Sequence, residues 1–151
     1  MGLFNWKKTV ASVDGHEEPM LSTLSDDHRE FLTSCLGLAD GAGVDLNDAG
    51  SVRDFYNLLL ATWRASPDGP ADPQPYLNAA GAAFGEHLVR TTPLEWVIAE
   101  DSRGRELAVH SERTNFFVYP FDAVAKRWSR GEDGEFITAL AGQVTNHFKV
   151  H

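Results

Sequence analysis

Three polar residues at the ends of alternating segments are the strongest candidates for chemistry in this sequence. They are Glu95, His110 and Asn115, and they lie in the stretch PLEWVIAEDSRGRELAVHSERTNFFVYP. A carboxylate next to an imidazole can orient the ring as a general base. Because no Gly-x-Ser-x-Gly motif supplies a nucleophile, the sequence favours a polar row at the rim of a sheet over a catalytic group.

This row follows from the strands that the alternation predicts, at residues 94–100, 105–110 and 115–119. The connections DSRG and SERT have a common hairpin length, and they set a register. One face is then wholly apolar, as a sheet that packs on helices requires, and the other is mixed. The apolar rows are Trp96–Val109–Phe116 and Ile98–Leu107–Val118. The mixed rows are Val97–Ala108–Phe117, Ala99–Glu106–Tyr119 and Glu95–His110–Asn115.

Apolar residues at helical spacing predict five helices around these strands. Their ranges are 25–39, 52–65, 75–90, 121–128 and 133–148. The first has Ser25 as its N-cap, and the second begins at a capping box of Ser51 with Asp54. In the third, Gly81 and Gly85 share a face, which predicts close approach of a backbone or a large ring.

The element order α-α-α-β-β-β-α-α predicts an α+β fold, a three-stranded antiparallel meander packed on helices. The length of 151 residues is that of one domain, 1–151. Residues 1–21 show no sustained periodicity, so we expect this segment to be loosely ordered. No internal repeat is present.

Charge and cysteine content exclude several classes of function. A net charge of −9 repels nucleic-acid phosphates and anionic lipid, so neither nucleic acid nor membrane is expected as a partner. The single cysteine, Cys35, lies in an apolar helical pattern and is expected in the core. The absence of a secretory signal and of disulfides predicts a cytoplasmic protein, and the residue bias is typical of a GC-rich bacterial genome.

Metal and nucleotide motifs are weak in this chain. The pair His147 and His151 has helical spacing, but it lacks the glutamate of a His-Glu-x-x-His site and stands at the end of the sequence. No cysteine pair is available for zinc, and neither a Rossmann nor a Walker A pattern occurs. We therefore predict neither a metal nor a cofactor.

One segment resembles a known bacterial family, the domain-of-unknown-function family numbered 3806. It reads YLNAAGAAFGEHLVRTTPLEWVIAEDSRGRELAVHSERTNFFVYPFDAVAKRW, and the resemblance extends over residues 76–141. The features that carry it are Gly81, Gly85, Leu88, Trp96, the turn at Gly104 and the run FVYPFDAVAKRW. The resemblance implies no reaction, cofactor or partner, so it supports the order of elements only.

These observations favour a non-catalytic binding domain whose surface is the mixed face of the meander. The candidate binding residues are Glu95, Glu106, His110, Asn115, Phe117 and Tyr119. We expect this face to be exposed, and an exposed face of aromatic and acidic character suits a protein or a cationic peptide better than nucleic acid. Two alternatives stay open: a hydrolase or isomerase that uses His110 with Glu95, and an acidic regulator or immunity-like protein that binds a basic partner through its charge.

Overall fold

The strands of this protein form one antiparallel sheet, and helices pack on one of its faces. A computed structural model describes residues 10–11, 18–67 and 71–150 of the chain. Its strands are β1 Val10–Ala11, β2 Met20–Ser22, β3 Glu95–Asp101, β4 Gly104–Ser111 and β5 Phe116–Val118. Within the described residues they pair in the order β1-β5-β4-β3-β2. The combination of this sheet with separate helices confirms the predicted α+β class.

The sheet is larger than the predicted three-stranded meander, because it has five strands among the described residues. Strands β3, β4 and β5 follow one another as expected, but β2 extends the sheet beyond β3 and the two-residue β1 lies beyond β5. All three residues of β2 are exposed, so no apolar alternation marks this strand in the sequence. Edge strands pair through backbone groups that every residue carries, which explains why the pattern did not predict them.

Part of the segment 1–21, predicted to be loosely ordered, therefore belongs to the sheet. Met20 and Leu21 pair with Glu100 and Ala99 of β3. Residues 1–9 and 12–17 lie outside the described part of the chain, so the prediction is not tested there.

The hairpin of β3 and β4 has the predicted register. Glu95 lies opposite His110, and the pairing continues to Asp101 opposite Gly104. Only Ser102 and Arg103 form the turn, which is shorter than the four residues of DSRG. Gly104 has a φ of +128°, a conformation that only glycine adopts readily, and Asp101 Oδ1 accepts a hydrogen bond from Arg103 N at 2.8 Å.

The register between β4 and β5 is shifted by two residues from the prediction. Val118 lies opposite Val109 rather than Leu107, and Phe117 rather than Asn115 lies opposite His110. The reason is the left-handed conformation of Asn115, with a φ of 53°, which asparagine tolerates better than most residues and which places it in the turn. A shift of two residues leaves each side chain on its predicted face.

Five helices lie in the described part of the chain. They are α1 Asp26–Gly41, α2 Ala49–Arg64, α3 Gln74–Thr91, α4 Pro120–Ser129 and α5 Glu135–Val150. Ser25 caps α1 as predicted, and His28 completes its capping box. The predicted start of α2 is wrong, because Asp48 is the N-cap and accepts from Gly50 N at 2.9 Å, while Ser51 Oγ accepts from Asp45 N.

Helix α3 is the central helix, and its glycines explain how closely it packs. A Cβ at Gly81 would lie 2.5 Å from Phe121 Cδ1, and one at Gly85 would lie 2.2 Å from Trp96 Cη2. The predicted approach of large rings to this helix face is thus confirmed. Cys35 of α1 is buried against the same region, as expected, and burial raises the pKa of its thiol.

Candidate functional site

A surface pocket of about 310 Å³ lies where β2 and β4 end and β3 begins. Its lining is Leu21, Ser22, Thr23, Glu95, Val97, His110 and Glu112. The register explains the arrangement, because Glu95 lies opposite His110 and Val97 points to the same face two residues further along β3. We call this the His110 pocket.

The His110 side chain is held by a short chain of hydrogen bonds. It is 8% exposed, and its Nε2 lies 2.8 Å from Asn115 Oδ1. Asn115 Nδ2 in turn donates to Glu18 Oε1 at 3.5 Å. Because an ionised carboxylate only accepts, this contact sets the orientation of the Asn115 amide, and His110 Nε2 is then the donor to Oδ1. The other ring nitrogen, Nδ1, carries the lone pair in the neutral ring.

Glu95 reaches the pocket through backbone pairing rather than through contact with the imidazole. Its side chain is exposed, and among the described residues no ion pair joins it to His110. The structure thus brings together the three residues of the predicted row by different means. Register positions Glu95, whereas the left-handed turn residue Asn115 reaches His110 from the end of the strand.

At the centre of the sheet face that carries the His110 pocket, the aromatic side chains are buried. Phe117 is 1% exposed and Tyr119 is 7% exposed, and their rings stack with centroids 6.1 Å apart. The expectation of exposed aromatic rings on this face is therefore wrong, although a role for these residues in binding stays a prediction. Phe117 also contacts the His110 ring, with centroids 4.5 Å apart. Burial, with the nearby Glu106 carboxylate as a second cause, raises the pKa of Tyr119 to about 12.

Several lining residues were missed by the sequence pattern. Glu112 lies in the turn after β4, two residues beyond His110, and this closeness in the sequence was a signal that could have identified it. Leu21, Ser22 and Thr23 gave no such signal, because they come from the unpredicted edge strand β2 and the residue after it.

The remaining histidine candidates do not form a metal site in the described part of the chain. His147 stacks on Phe116 with ring centroids 4.0 Å apart, and its Nε2 lies 3.1 Å from Thr114 Oγ1. His151, the other half of the predicted pair, lies outside the described residues. Within residues 10–11, 18–67 and 71–150, no three His, Cys, Asp or Glu side chains are grouped so that they could share a metal ion.

Membrane insertion depends on the length and the apolar character of a helix. Among the helices that the structure describes, none combines the length and the apolar character needed to cross a bilayer.

The fold and the His110 pocket together define an α+β domain with an acidic surface pocket. These two features do not identify a reaction. The family model described as "Domain of unknown function (DUF3806)" matches residues 65–139. This match confirms the resemblance predicted from the sequence and assigns that segment to the family. No curated protein and no solved structure matches the chain.

The matched segment contains only part of the His110 pocket. It runs from the residue after α2 through α3, all of β3 to β5 and α4 into the first turn of α5. Glu95, His110 and Glu112 lie within it, whereas the three lining residues at 21–23 precede it. The pocket is therefore formed jointly by the family segment and by a strand from the N-terminal part of this chain.

Proposed function

We propose that this protein is a non-catalytic binding domain of the bacterial cytoplasm that accepts a basic side chain of a protein or peptide partner in the His110 pocket. The observation that carries the proposal is the position of two carboxylates, Glu95 and Glu112, on one pocket with the imidazole. Both side chains are exposed, so neither needs to leave a buried ion pair to meet a ligand.

The shape and composition of the pocket favour an arginine. Val97 and Leu21 provide apolar wall for the methylene stem of the side chain. A planar guanidinium offers several N–H donors to the carboxylates and one to the unprotonated Nδ1 of His110. The net charge of −9 increases the local concentration of cationic partners and supports rapid association.

The other predicted residues have supporting roles in this proposal. Asn115 orients the imidazole through the contact at Nε2, and Phe117 packs against the ring. Tyr119 stacks on Phe117 and continues the closed part of the face, next to Glu106. We expect changes at these positions to alter binding through His110 and not through direct contact with the partner.

Binding is preferred over a hydrolase or isomerase activity at the same place. A hydrolase of this kind needs a nucleophile within hydrogen-bond reach of its general base. Among the described residues, the His110 ring hydrogen-bonds to the amide of Asn115 and to no hydroxyl or thiol, and it has no ion pair with Glu95. This arrangement suits a fixed hydrogen-bonding partner for a ligand.

The proposal is tested by titrating the protein with a short peptide that has one central arginine and with the same peptide containing citrulline. Citrulline keeps the shape of the side chain and removes its charge. Backbone amide shifts at Glu95, His110 and Glu112 should move with the arginine peptide only. The Glu95→Gln, Glu112→Gln double variant should bind at least about tenfold more weakly, since each hydrogen bond to a charged group contributes about 1.5–3 kcal/mol and about 1.4 kcal/mol is a factor of ten.

A matched control separates this pocket from general acidity. Glu30 on α1 is exposed and lies outside the His110 pocket, so Glu30→Gln removes one negative charge elsewhere. If Glu30→Gln weakens binding as much as Glu95→Gln does, the acidic-regulator alternative describes the protein better. Equal binding of the citrulline peptide would remove the proposal altogether.

A further inference from the structure

A second pocket, remote from the His110 pocket, contains a buried histidine with one open ring nitrogen. It has a volume of about 470 Å³ and lies between the start of α2, the last turns of α3 and one face of α5. Its lining is Ala49, His87, Thr91, Thr138, Ala141, Gly142, Thr145, Asn146 and Lys149. We call this the His87 pocket. It shares no lining residue with the His110 pocket.

The hydrogen bonding of His87 fixes which of its nitrogens is protonated. The side chain is 5% exposed, and Nδ1 lies 2.8 Å from the backbone carbonyl oxygen of Leu46. A carbonyl oxygen only accepts, so Nδ1 must carry the hydrogen. Among the described residues Nε2 has no hydrogen-bond partner. In the neutral ring this nitrogen therefore presents a lone pair on the wall of the pocket.

Two of the hydroxyl groups in the lining also present lone pairs. Thr91 Oγ1 donates its hydrogen to His87 O at 2.8 Å, and Thr138 Oγ1 donates to Glu135 O at 3.0 Å. A hydroxyl that has donated its hydrogen can only accept from a ligand. The wall formed by α3 and α5 is thus rich in acceptors. Asn146 and Lys149 add donors from the C-terminal end of α5.

This distribution of donors and acceptors selects the chemistry of the ligand. An anion such as phosphate would face several lone pairs and a single exposed ammonium group, in a protein of net charge −9. An ammonium ion would lie near Lys149. A neutral molecule with several hydroxyl groups avoids both conflicts, because each hydroxyl both donates and accepts. We infer that the His87 pocket binds a small neutral polyol or monosaccharide.

Gly142 supplies a way to block the pocket without disturbing the core. A Cβ at Gly142 would meet no atom within 4 Å, although the residue lines the pocket in the middle of α5. Gly142→Leu should therefore fold, favour the helix and place its side chain in the ligand space. Gly37 in the middle of α1 is the matched control, since a Cβ there also meets open space and the residue lies outside the His87 pocket.

The test is saturation-transfer difference NMR with ribose, glucose and myo-inositol as probes, each at millimolar concentration, and with inorganic phosphate titrated separately. At least one of the three should receive saturation from the wild-type protein and shift the ¹⁵N resonance of His87 Nε2. Gly142→Leu should abolish both effects, and Gly37→Leu should retain them.

Three outcomes would overturn the inference. If none of the three probes receives saturation, the pocket does not bind this class of ligand. If binding survives Gly142→Leu, the ligand binds somewhere other than the His87 pocket. Phosphate that shifts the His87 resonance when the sugars do not would show that the pocket selects an anion. None of these outcomes depends on the arginine-peptide titration, so the two proposals fail separately.

Discussion

The two faces of the sheet are both apolar at their centres but are constructed differently. The helix face packs its large side chains against helices, through Trp96, Leu107, Val109, Phe116 and Val118. Ile98, on the same face, is also buried. The pocket face combines two alanines with a stacked aromatic pair. Its residues are Val97, Ala99, Ala108, His110, Phe117 and Tyr119. Large rings therefore enter helix grooves on one face, and on the other they lie over small neighbours.

This difference shows why the candidate site is at an end of the pocket face. On the helix face, Trp96 fills the space beside Gly85 and its Nε1 donates to Glu86 Oε1 at 3.1 Å. This contact holds the Trp96 ring tightly against α3. On the pocket face Val97 is half-buried, and beyond it the exposed Glu95 and the largely buried His110 line the His110 pocket. Binding is favoured where side-chain packing stops and polar groups converge.

The largest expected effect tests whether the pocket face is as well packed as the helix face. Phe117→Ala should lower the free energy of unfolding by about 3–5 kcal/mol, because a fully buried ring is replaced by a cavity. Urea unfolding followed by circular dichroism measures this change. Leu58→Ala, at a side chain that is 57% exposed on α2, is the control and should change much less. A loss of under about 1 kcal/mol for Phe117→Ala would show that this face is loosely packed.

The next effect concerns the fit of rings against α3 on the helix face. Gly85→Ala should destabilise the protein by about 1–3 kcal/mol, since the added Cβ overlaps Trp96 and lies 2.9 Å from Pro120 Cγ. The same change at Gly142, where a Cβ meets open space, should instead stabilise by about 1 kcal/mol. Paired urea unfolding of the two variants measures the difference. Two stabilised variants would contradict the close contact of Trp96 with this helix.

The smallest expected effect is the loss of stability at alkaline pH that comes from one buried tyrosine on each side of the sheet. Burial raises the pKa of Tyr56, on the helix side, and of Tyr119, on the pocket face, each to about 12. Unfolded tyrosine has a pKa of about 10, so the folded state retains its proton to higher pH. This stabilisation is complete below about pH 10 and is lost as the pH rises toward 12, by about 1 kcal/mol per tyrosine at pH 11.

The measurement is the free energy of unfolding between pH 9 and pH 12, for wild type and for Tyr56→Phe and Tyr119→Phe. Each variant should show a shallower decline with pH, because it removes one of the two titrating groups. Tyr56→Phe should also lose stability at neutral pH, since its hydroxyl donates to Glu132 O at 2.7 Å. If only Tyr56→Phe flattens the decline, Tyr119 titrates in the folded state and the pocket face is open.

Several features of the fold could be predicted because they depend on consecutive residues. Period-two alternation assigned each residue of β3, β4 and β5 to the correct face, and the β3–β4 register followed from it. The spacing of Gly81 and Gly85 identified the helix face that receives Phe121 and Trp96. The same stretch contained Glu95, His110 and Asn115, which the structure places near one another at one end of the sheet.

Other features depended on contacts between residues that are distant in the sequence. The β4–β5 register was shifted because Asn115 adopts a left-handed turn, a choice that the SERT connection did not reveal. Whether Phe117 and Tyr119 are exposed depends on what packs over them. Alternation predicts which face of the sheet a side chain lies on, but not whether other residues cover that face. His87 acquired a defined tautomer only because Leu46, 41 residues away, presents a carbonyl oxygen to it.

The sequence alone thus determined the α+β class, the faces of the central strands, the helix that receives the large rings, and the family of the segment 65–139. Tertiary structure alone decided the edge strands, the closure of the pocket face and the composition of both pockets. The physical reason is that side-chain periodicity is a property of neighbouring residues. Edge pairing, burial and ring hydrogen bonds instead use backbone groups and surfaces that any distant segment could supply.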